Sequence, residues 1–439
     1  MITDDNKRLA QWAMDYALKN GCQAAKLVLY TNSNSSFELR NGKIDRLQQA
    51  TENGLGIQLY VDGRFGSLST NRLDKKELEH LIANGIESTR YLTEDESRVL
   101  TDPTRYYKGG KPDLQLFDKK LHDINPDDKV AIARAAAEEV MGKDERVISV
   151  DSSYSDGESS SYRLISNGFE GESKSTWFSV SASVSIKGEG EARPQDYWYD
   201  SALFYDKLTK TGIGAKALER VLRKLGQKKA KSGKYTMVVD PMNAGQLLGP
   251  MLNALYGSAL QQRNSFLLDK TDVKVASDLF TLRDEPHVVG ATGSRYFDNE
   301  GVATEPRAIF DRGVLKTYFI DTYNAKKMNM APTISNPSRL ILTPGTKDLN
   351  GLVADIEQGI LVTGFNGGNS NSSTGDFSYG IEGFLIENGK LTQPVNEMNV
   401  TGNMLTLWNS LIAVGNDPQP NRSWQIPSLV FEGVDFSGL

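Results

Sequence analysis

Turn chemistry constrains this chain more than any other feature of its sequence. Asn41-Gly42, Asp62-Gly63 and Asn388-Gly389 each sit between runs that alternate apolar and polar residues. Asn-Gly and Asp-Gly tolerate the left-handed backbone of a two-residue hairpin, so each pair predicts two adjacent antiparallel strands. Around the first two pairs the segments Ala25–Thr31, Ser36–Arg40, Gly56–Val61 and Phe65–Thr70 read as short strands. Helices are expected beside them. Over residues 5–20, Leu9, Trp12, Ala13, Tyr16 and Ala17 share one face, and Gly21 stands where a helix stops. A second apolar stripe, Leu78, Leu81, Ile82 and Ile86, predicts a helix over about 74–88.

Further along, Pro103, Pro112 and Gly109-Gly110 mark residues 92–125 as a connection. Asn125-Pro126-Asp127-Asp128 then reads as the start of a helix over about 127–142. Strands follow at about 146–154, 160–167 and 175–187, then a helix at about 211–226. The charged stretch Gln227–Lys234 lacks apolar periodicity and marks the main boundary. Beyond it come a strand at Thr236–Val239, a helical stretch over about 242–261, and many strands joined by turns such as Asp311-Arg312-Gly313. The glycine-rich segment Gly364–Gly380 reads as a long loop between two strands. The predicted class is α+β, with a small α+β unit over 1–110, a middle α+β unit over 111–230 and a larger, mostly β unit over 231–439.

Composition excludes several functions. With 50 basic and 56 acidic residues the net charge is −6, and no basic run exceeds the short stretch at Lys228, Lys229 and Lys231. That gives no electrostatic case for nucleic acid. No apolar run approaches the ~20 residues that span a bilayer, and the amino terminus has no secretion-signal pattern. Cys22 is the single cysteine, which excludes an intrachain disulfide. A cytoplasmic location is expected.

Catalytic motifs are missing in a systematic way. The three histidines, His80, His122 and His287, lie far apart in sequence, whereas a zinc-protease helix needs two imidazoles about one turn apart and a glutamate. Neither a Gly-x-Ser-x-Gly elbow nor a Ser-x-x-Lys pair is present. Cys22 reads as a small buried thiol. Gly212-Ile213-Gly214-Ala215-Lys216-Ala217 matches a loose dinucleotide pattern, but lacks a preceding buried strand and a following acidic residue, and so reads as a helix start. Neither a catalytic residue nor a metal or cofactor site is assigned to the chain from these residues.

Several longer segments nevertheless resemble one family. They are Asp298-Asn299-Glu300-Gly301-Val302-Ala303-Thr304, Gly313-Val314-Leu315-Lys316-Thr317-Tyr318, Gly375-Asp376-Phe377-Ser378-Tyr379-Gly380, Gly383 to Gly389, and Gly415-Asn416-Asp417. Arg40 to Lys43, Gly54-Leu55-Gly56 and Val61 to Arg64 extend the likeness to the first unit. The chain resembles the TldD/TldE family, the latter also called PmbA or modulator of DNA gyrase. The resemblance implies a heterodimeric metallopeptidase in which the TldD-type subunit carries His-Glu-x-x-x-His on a helix and a further cysteine ligand. In this chain the matching helix reads Leu248-Gly249-Pro250-Met251-Leu252-Asn253 by an ungapped count back from Ser265. Leu248, Gly249 and Asn253 stand at the ligand and base positions, and no cysteine follows.

The chain therefore looks like the TldE/PmbA type, with zinc expected in a TldD-type partner and activity expected only with that partner. Peptides or unfolded chains are the implied substrates, and a homodimer is possible for the isolated chain. Gly375, Asp376, Phe377, Ser378 and Tyr379 are candidate peptide contacts, on the expectation that a strand edge beside the glycine-rich segment pairs with extended substrate. The alternative is a stand-alone regulator that binds a protein such as DNA gyrase and takes no part in peptidase chemistry.

Overall fold

The computed structural model describes residues 1–439. Its first half is built on one antiparallel six-stranded sheet of order β3-β2-β1-β4-β5-β6. The strands are β1 (Ala24–Arg40), β2 (Lys43–Val61), β3 (Arg64–Thr70), β4 (Val147–Ile165), β5 (Phe169–Ile186) and β6 (Gln195–Ala202). Helices α1 (Asp4–Lys19), α2 (Lys75–Thr89), α3 (Pro126–Glu138) and α4 (Ile213–Leu222) pack on one face. The turn pairs behave as their chemistry requires: φ is +51° and +73° at Asn41-Gly42, and +49° and +75° at Asp62-Gly63.

The strands are far longer than the sequence pattern suggests. Ala25–Thr31 and Ser36–Arg40 are one strand, and so are the segments expected at 146–154 and 160–167. The alternation is interrupted because one sheet face carries two apolar plates with a polar belt between them. Leu27, Leu29, Leu55, Ile57, Tyr162 and Leu164 pack under α1 and α2. Phe37, Leu39, Val150, Tyr154, Phe178 and Val180 pack under α3 and α4. Across the gap run Thr31 and Ser35 of β1 and Asp156, Glu158 and Ser160 of β4, all buried. Lys129 of α3 reaches into this belt and pairs with Asp156 at 2.7 Å, and Tyr154 donates its hydroxyl to the same carboxylate at 3.0 Å. The units expected at 1–110 and 111–230 share this sheet: β1 pairs with β4 from Lys26↔Ile165 to Arg40↔Asp151.

The second half opens with β7 (Gly233–Val239), α5 (Ala244–Asn253) and α6 (Gly257–Gln261). A small sheet of order β10-β9-β8-β11-β16 follows, formed by β8 (Leu282–Asp284), β9 (Arg307–Asp311), β10 (Val314–Leu315), β11 (Leu340–Leu342) and β16 (Trp424–Gln425). Between its strands lie α7 (Thr322–Met328) and α8 (Leu349–Ala354). The larger sheet runs β14-β13-β12-β7-β17-β15, with β12 (Gln358–Ser370), β13 (Asp376–Glu387), β14 (Lys390–Asn403), β15 (Leu411–Val414) and β17 (Leu429–Ser437). β14 also pairs back onto β17 through Asn399↔Ser437 and Thr401↔Asp435. Five strands thus close into a ring, which removes their free edges. The largest apolar core, including Leu248, Phe280, Trp408 and Phe431, belongs to this half.

Gly364–Gly380 is not a long loop. β12 and β13 pair across most of it, leaving only residues 371–375 as a turn. Register shifts at Val362/Gly364 and Phe365/Gly368 absorb the glycines as bulges, with φ of +74° at Gly367 and +93° at Gly368.

Contacts between the halves are specific. Glu300 accepts from Thr322 N–H at 2.9 Å and approaches Lys26 of β1 at 3.9 Å. Arg98 lies between the rings of Phe65 and Tyr323, 4.4 and 3.7 Å from their centroids. Lys224 bridges Asp196 at 3.2 Å and Glu382 at 2.7 Å. No helix is long and apolar enough to cross a membrane.

Candidate functional site

The helix matched to a zinc-binding helix is positioned by β7. That strand ends at Val239, and the next residue, Asp240, is buried. The Asp240 carboxylate accepts from Asn243 N–H at 3.0 Å and Nδ2 at 2.7 Å, while the same Nδ2 donates to Thr363 O of β12 at 2.8 Å. Burial pushes the Asp240 pKa up, opposed by the Asn243 side chain and by Arg220. α5 leaves this anchor with Leu247, Leu248, Met251 and Leu252 buried, and Trp408 Nε1–H donates to Leu247 O at 3.4 Å.

Along α5 the three positions of interest diverge. Leu248 is fully buried in the main core, Gly249 is half-buried, and Asn253 is exposed. A Cβ at Gly249 would meet nothing within 4 Å, so this position faces open space. Zinc needs imidazole, thiolate or carboxylate groups converging on one point. An alkyl chain aimed into the core, a glycine and an outward carboxamide do not fit that ion. No group of three or more His, Cys, Asp or Glu side chains is arranged to hold a metal anywhere in the chain.

The histidines lie on separate elements. His80 is exposed on α2; His122 faces the Glu158 carboxylate at 3.4 Å; His287, in the turn after β8, lies 3.0 Å through Nε2 from Thr304 Oγ1, whose own hydroxyl donates to Arg295 O. Burial and nearby Lys111 hold the His287 pKa below its ordinary value. The Cys22 thiol is buried, bonds to Ala24 O and Tyr60 O, and is pushed up in pKa by that burial.

The Gly212 motif is also accounted for within the chain. Glu139, just after α3, accepts from the N–H groups of Gly212, Gly214 and Ala215 at 2.6, 2.8 and 3.2 Å. The start of α4 thus already holds an anion, its own neighbour's carboxylate. Gly212 caps the helix at φ +78°, and a Cβ on Gly214 would lie 1.9 Å from Ala136 O. Those two needs explain the glycines.

Residues 375–379 lie at the start of β13, where Phe377 and Tyr379 stack on each other at 5.4 Å inside the main core. Asp376 and Ser378 point outward, and Asp376 accepts from Thr374 Oγ1 and Asn403 Nδ2. Both edges of this stretch are already paired, with Gly368–Ser370 on one side and Val400–Asn403 on the other. Its backbone therefore has no edge free for an added strand, and only the side chains of Asp376 and Ser378 and the 371–375 turn remain to touch a ligand.

The connecting segment carries structure that its composition did not signal beyond a few aromatic residues. Tyr106 is buried, with its hydroxyl on Asn167 at 2.7 Å and its pKa pushed up to about 12 by burial. Tyr107 stacks on Tyr296 of the second half at 5.2 Å.

Comparison with known proteins bears on the family of the chain. Three domain models match in chain order: the PmbA/TldA metallopeptidase domain 1 over residues 25–89, the central domain over 119–225 and the C-terminal domain over 232–438. A Haemophilus influenzae protein named metalloprotease PmbA homolog is 27% identical, over 98% of this chain and 96% of the relative. Metalloprotease PmbA of Escherichia coli O157:H7 is 25% identical, over 94% and 92%. A solved structure from Bacteroides thetaiotaomicron, of a protein labelled a modulator of DNA gyrase, is 72% identical with a TM-score of 0.98 and covers 100% of both chains. TldE from Thermococcus kodakarensis shares the fold, at a TM-score of 0.83 and 19% identity over 98% of this chain and 100% of that one.

Proposed function

Because this chain belongs to the TldD/TldE (PmbA) metallopeptidase family, we propose that it is the TldE/PmbA-type subunit of a two-chain peptidase, completed by a TldD-type subunit that supplies the zinc. One observation carries this reading: on α5, Leu248, Gly249 and Asn253 offer no metal-binding group, and Leu248 is fully buried. When bound by the partner, zinc would activate water for hydrolysis of the peptide bond. This chain's part is to enclose and position substrate. Peptides or unfolded polypeptides are the substrate class, and the cytoplasm is the expected location.

Co-expression with a homologue carrying His-Glu-x-x-x-His tests the assignment. The two chains should purify together, with zinc retained when the partner is present and absent from this chain alone. Persistent separation of the two chains in every co-expression would count against it, and would favour the stand-alone regulator reading suggested by the gyrase label of a 72% identical relative.

A further inference from the structure

A cleft of about 490 Å³ lies between the first sheet and the second half of the chain, within the size range of ligand sites. Part of its wall is an open strand edge. β6 pairs with β5 only from Phe178 to Ser185, and the connecting segment adds one more bond, Thr176 N–H to Leu116 O at 3.0 Å. Backbone groups in an antiparallel strand alternate between its two edges. Glu172 and Lys174, four and two residues before Thr176, therefore turn their N–H and C=O groups away from β4, and neither β6 nor the connecting segment pairs with them.

The side chains around this edge suit an extended, partly apolar anion. Tyr107, stacked on Tyr296, stands at one wall, and Phe117 also lines the cleft. Four cations line it, Lys111, Arg163, Lys174 and Arg295, and none of them forms an ion pair; Arg295 is taken up by Ser338 Oγ, Asn336 O and Pro337 O. Lys111 sits over the Tyr296 ring at 5.4 Å and Lys174 over Phe117 at 5.3 Å. Arg163 donates through Nη1 to Asn299 O, but its buried Nε–H has no partner. The carboxylates nearby are engaged elsewhere. Glu172 holds Lys7 at 2.6 Å; Asp298 accepts from the N–H groups of Glu300, Val302 and Ser335; Asp113 accepts from Gln115 N–H.

We propose that this cleft binds an extended peptide as an added strand on the β5 edge at Glu172 and Lys174. A peptide carboxylate lies toward Lys111, Arg163 and Lys174, and an apolar side chain rests against Tyr107 and Phe117. Backbone pairing tolerates many sequences, as a chain handling unfolded polypeptides requires. The inference rests on the accessory-subunit reading for its substrate class, and on the strand edge for its site.

The test uses the full isolated chain and three probes: N-acetyl-Ala-Phe-Ala-Phe as the free acid, the same peptide as its amide, and the free acid with methylated backbone nitrogens. Calorimetry should show saturable binding of the free acid, weaker binding of the amide, and about tenfold or greater loss on N-methylation. Lys174→Pro removes an outward N–H together with the ammonium, a change edge strands tolerate, and should weaken the amide as well as the acid. Lys174→Gln keeps the N–H and should weaken only the acid. Equal binding of the N-methylated and parent peptides, or no saturable binding, overturns the site, and the N-methyl arm decides even if the proline variant fails to fold. Loss of the site with intact cleavage by the assembled complex removes this inference alone. Intact binding by a chain that never joins a TldD-type partner removes the accessory-subunit reading alone.

Discussion

Leu248 is the side chain on which the proposed accessory role bears most directly. It is fully buried among apolar neighbours, while Asn253, which the family resemblance sets at the second imidazole position, is exposed. Leu248→His together with Gly249→Glu and Asn253→His should not create a peptidase. The buried imidazole lacks a partner, and the change should cost about 2–4 kcal/mol in urea unfolding. Zinc titration should show only weak binding, because a third ligand and outer partners are missing; turnover near that of the assembled complex would mean the supporting shell already exists. Glu300 gives a pH-dependent test. Burial raises its pKa, opposed by Thr322 N–H and Lys26, so the folded state disfavours the ionised carboxylate. Folding therefore carries a penalty above the folded pKa that is relieved as pH falls through it. Relative to Glu300→Gln, the wild-type chain should gain stability as pH drops from neutral into the acidic range. An unchanged difference across that range would show that Glu300 is not shifted.

At the scale of the element, closeness in sequence decided what could be read. The hairpins at Asn41-Gly42, Asp62-Gly63 and Asn388-Gly389 were legible because two residues determine each turn, and all three pairs adopt positive φ. Strand lengths were not, because Asn32 to Ser35 break the apolar alternation where β1 crosses the polar belt. Gly364–Gly380 looked like a loop because its bulges remove the period-2 signal; β12 and β14 pair both edges of residues 376–379, while closure of the ring depends on β14 meeting β17 far along the chain. The burial of Leu248 and the exposure of Asn253 on α5 depend on packing against strands far along the chain. Two predictions follow from element packing. Gly214→Ala should destabilise the α3–α4 pair by about 1–3 kcal/mol, because the new methyl would lie 1.9 Å from Ala136 O; a neutral effect in urea unfolding would show that the helices can separate there. β2 from Lys43 to Gly54 lacks the β3 partner that covers Leu55–Val61, so amide exchange should be faster over 43–53 than over 55–61. Uniform protection of the isolated chain would show that this edge is covered.

For the molecule as a whole, a shared six-stranded sheet and a closed five-stranded ring are joined by Glu300, Arg98 and Lys224, whose partners cross between the two halves. This arrangement leaves a strand edge on β5 beside a cleft, and brings no three His, Cys, Asp or Glu side chains together to hold a metal. The account therefore stands on a division of labour between two chains, and cleavage of a fluorescently labelled unfolded polypeptide tests it most directly. The reaction is followed with this chain alone, with the TldD-type partner alone, and with the two mixed, each with and without a zinc chelator. The account predicts cleavage by the mixture, abolished by the chelator, and none by this chain alone. Chelator-sensitive cleavage by this chain alone, in a preparation free of host protease, would contradict it.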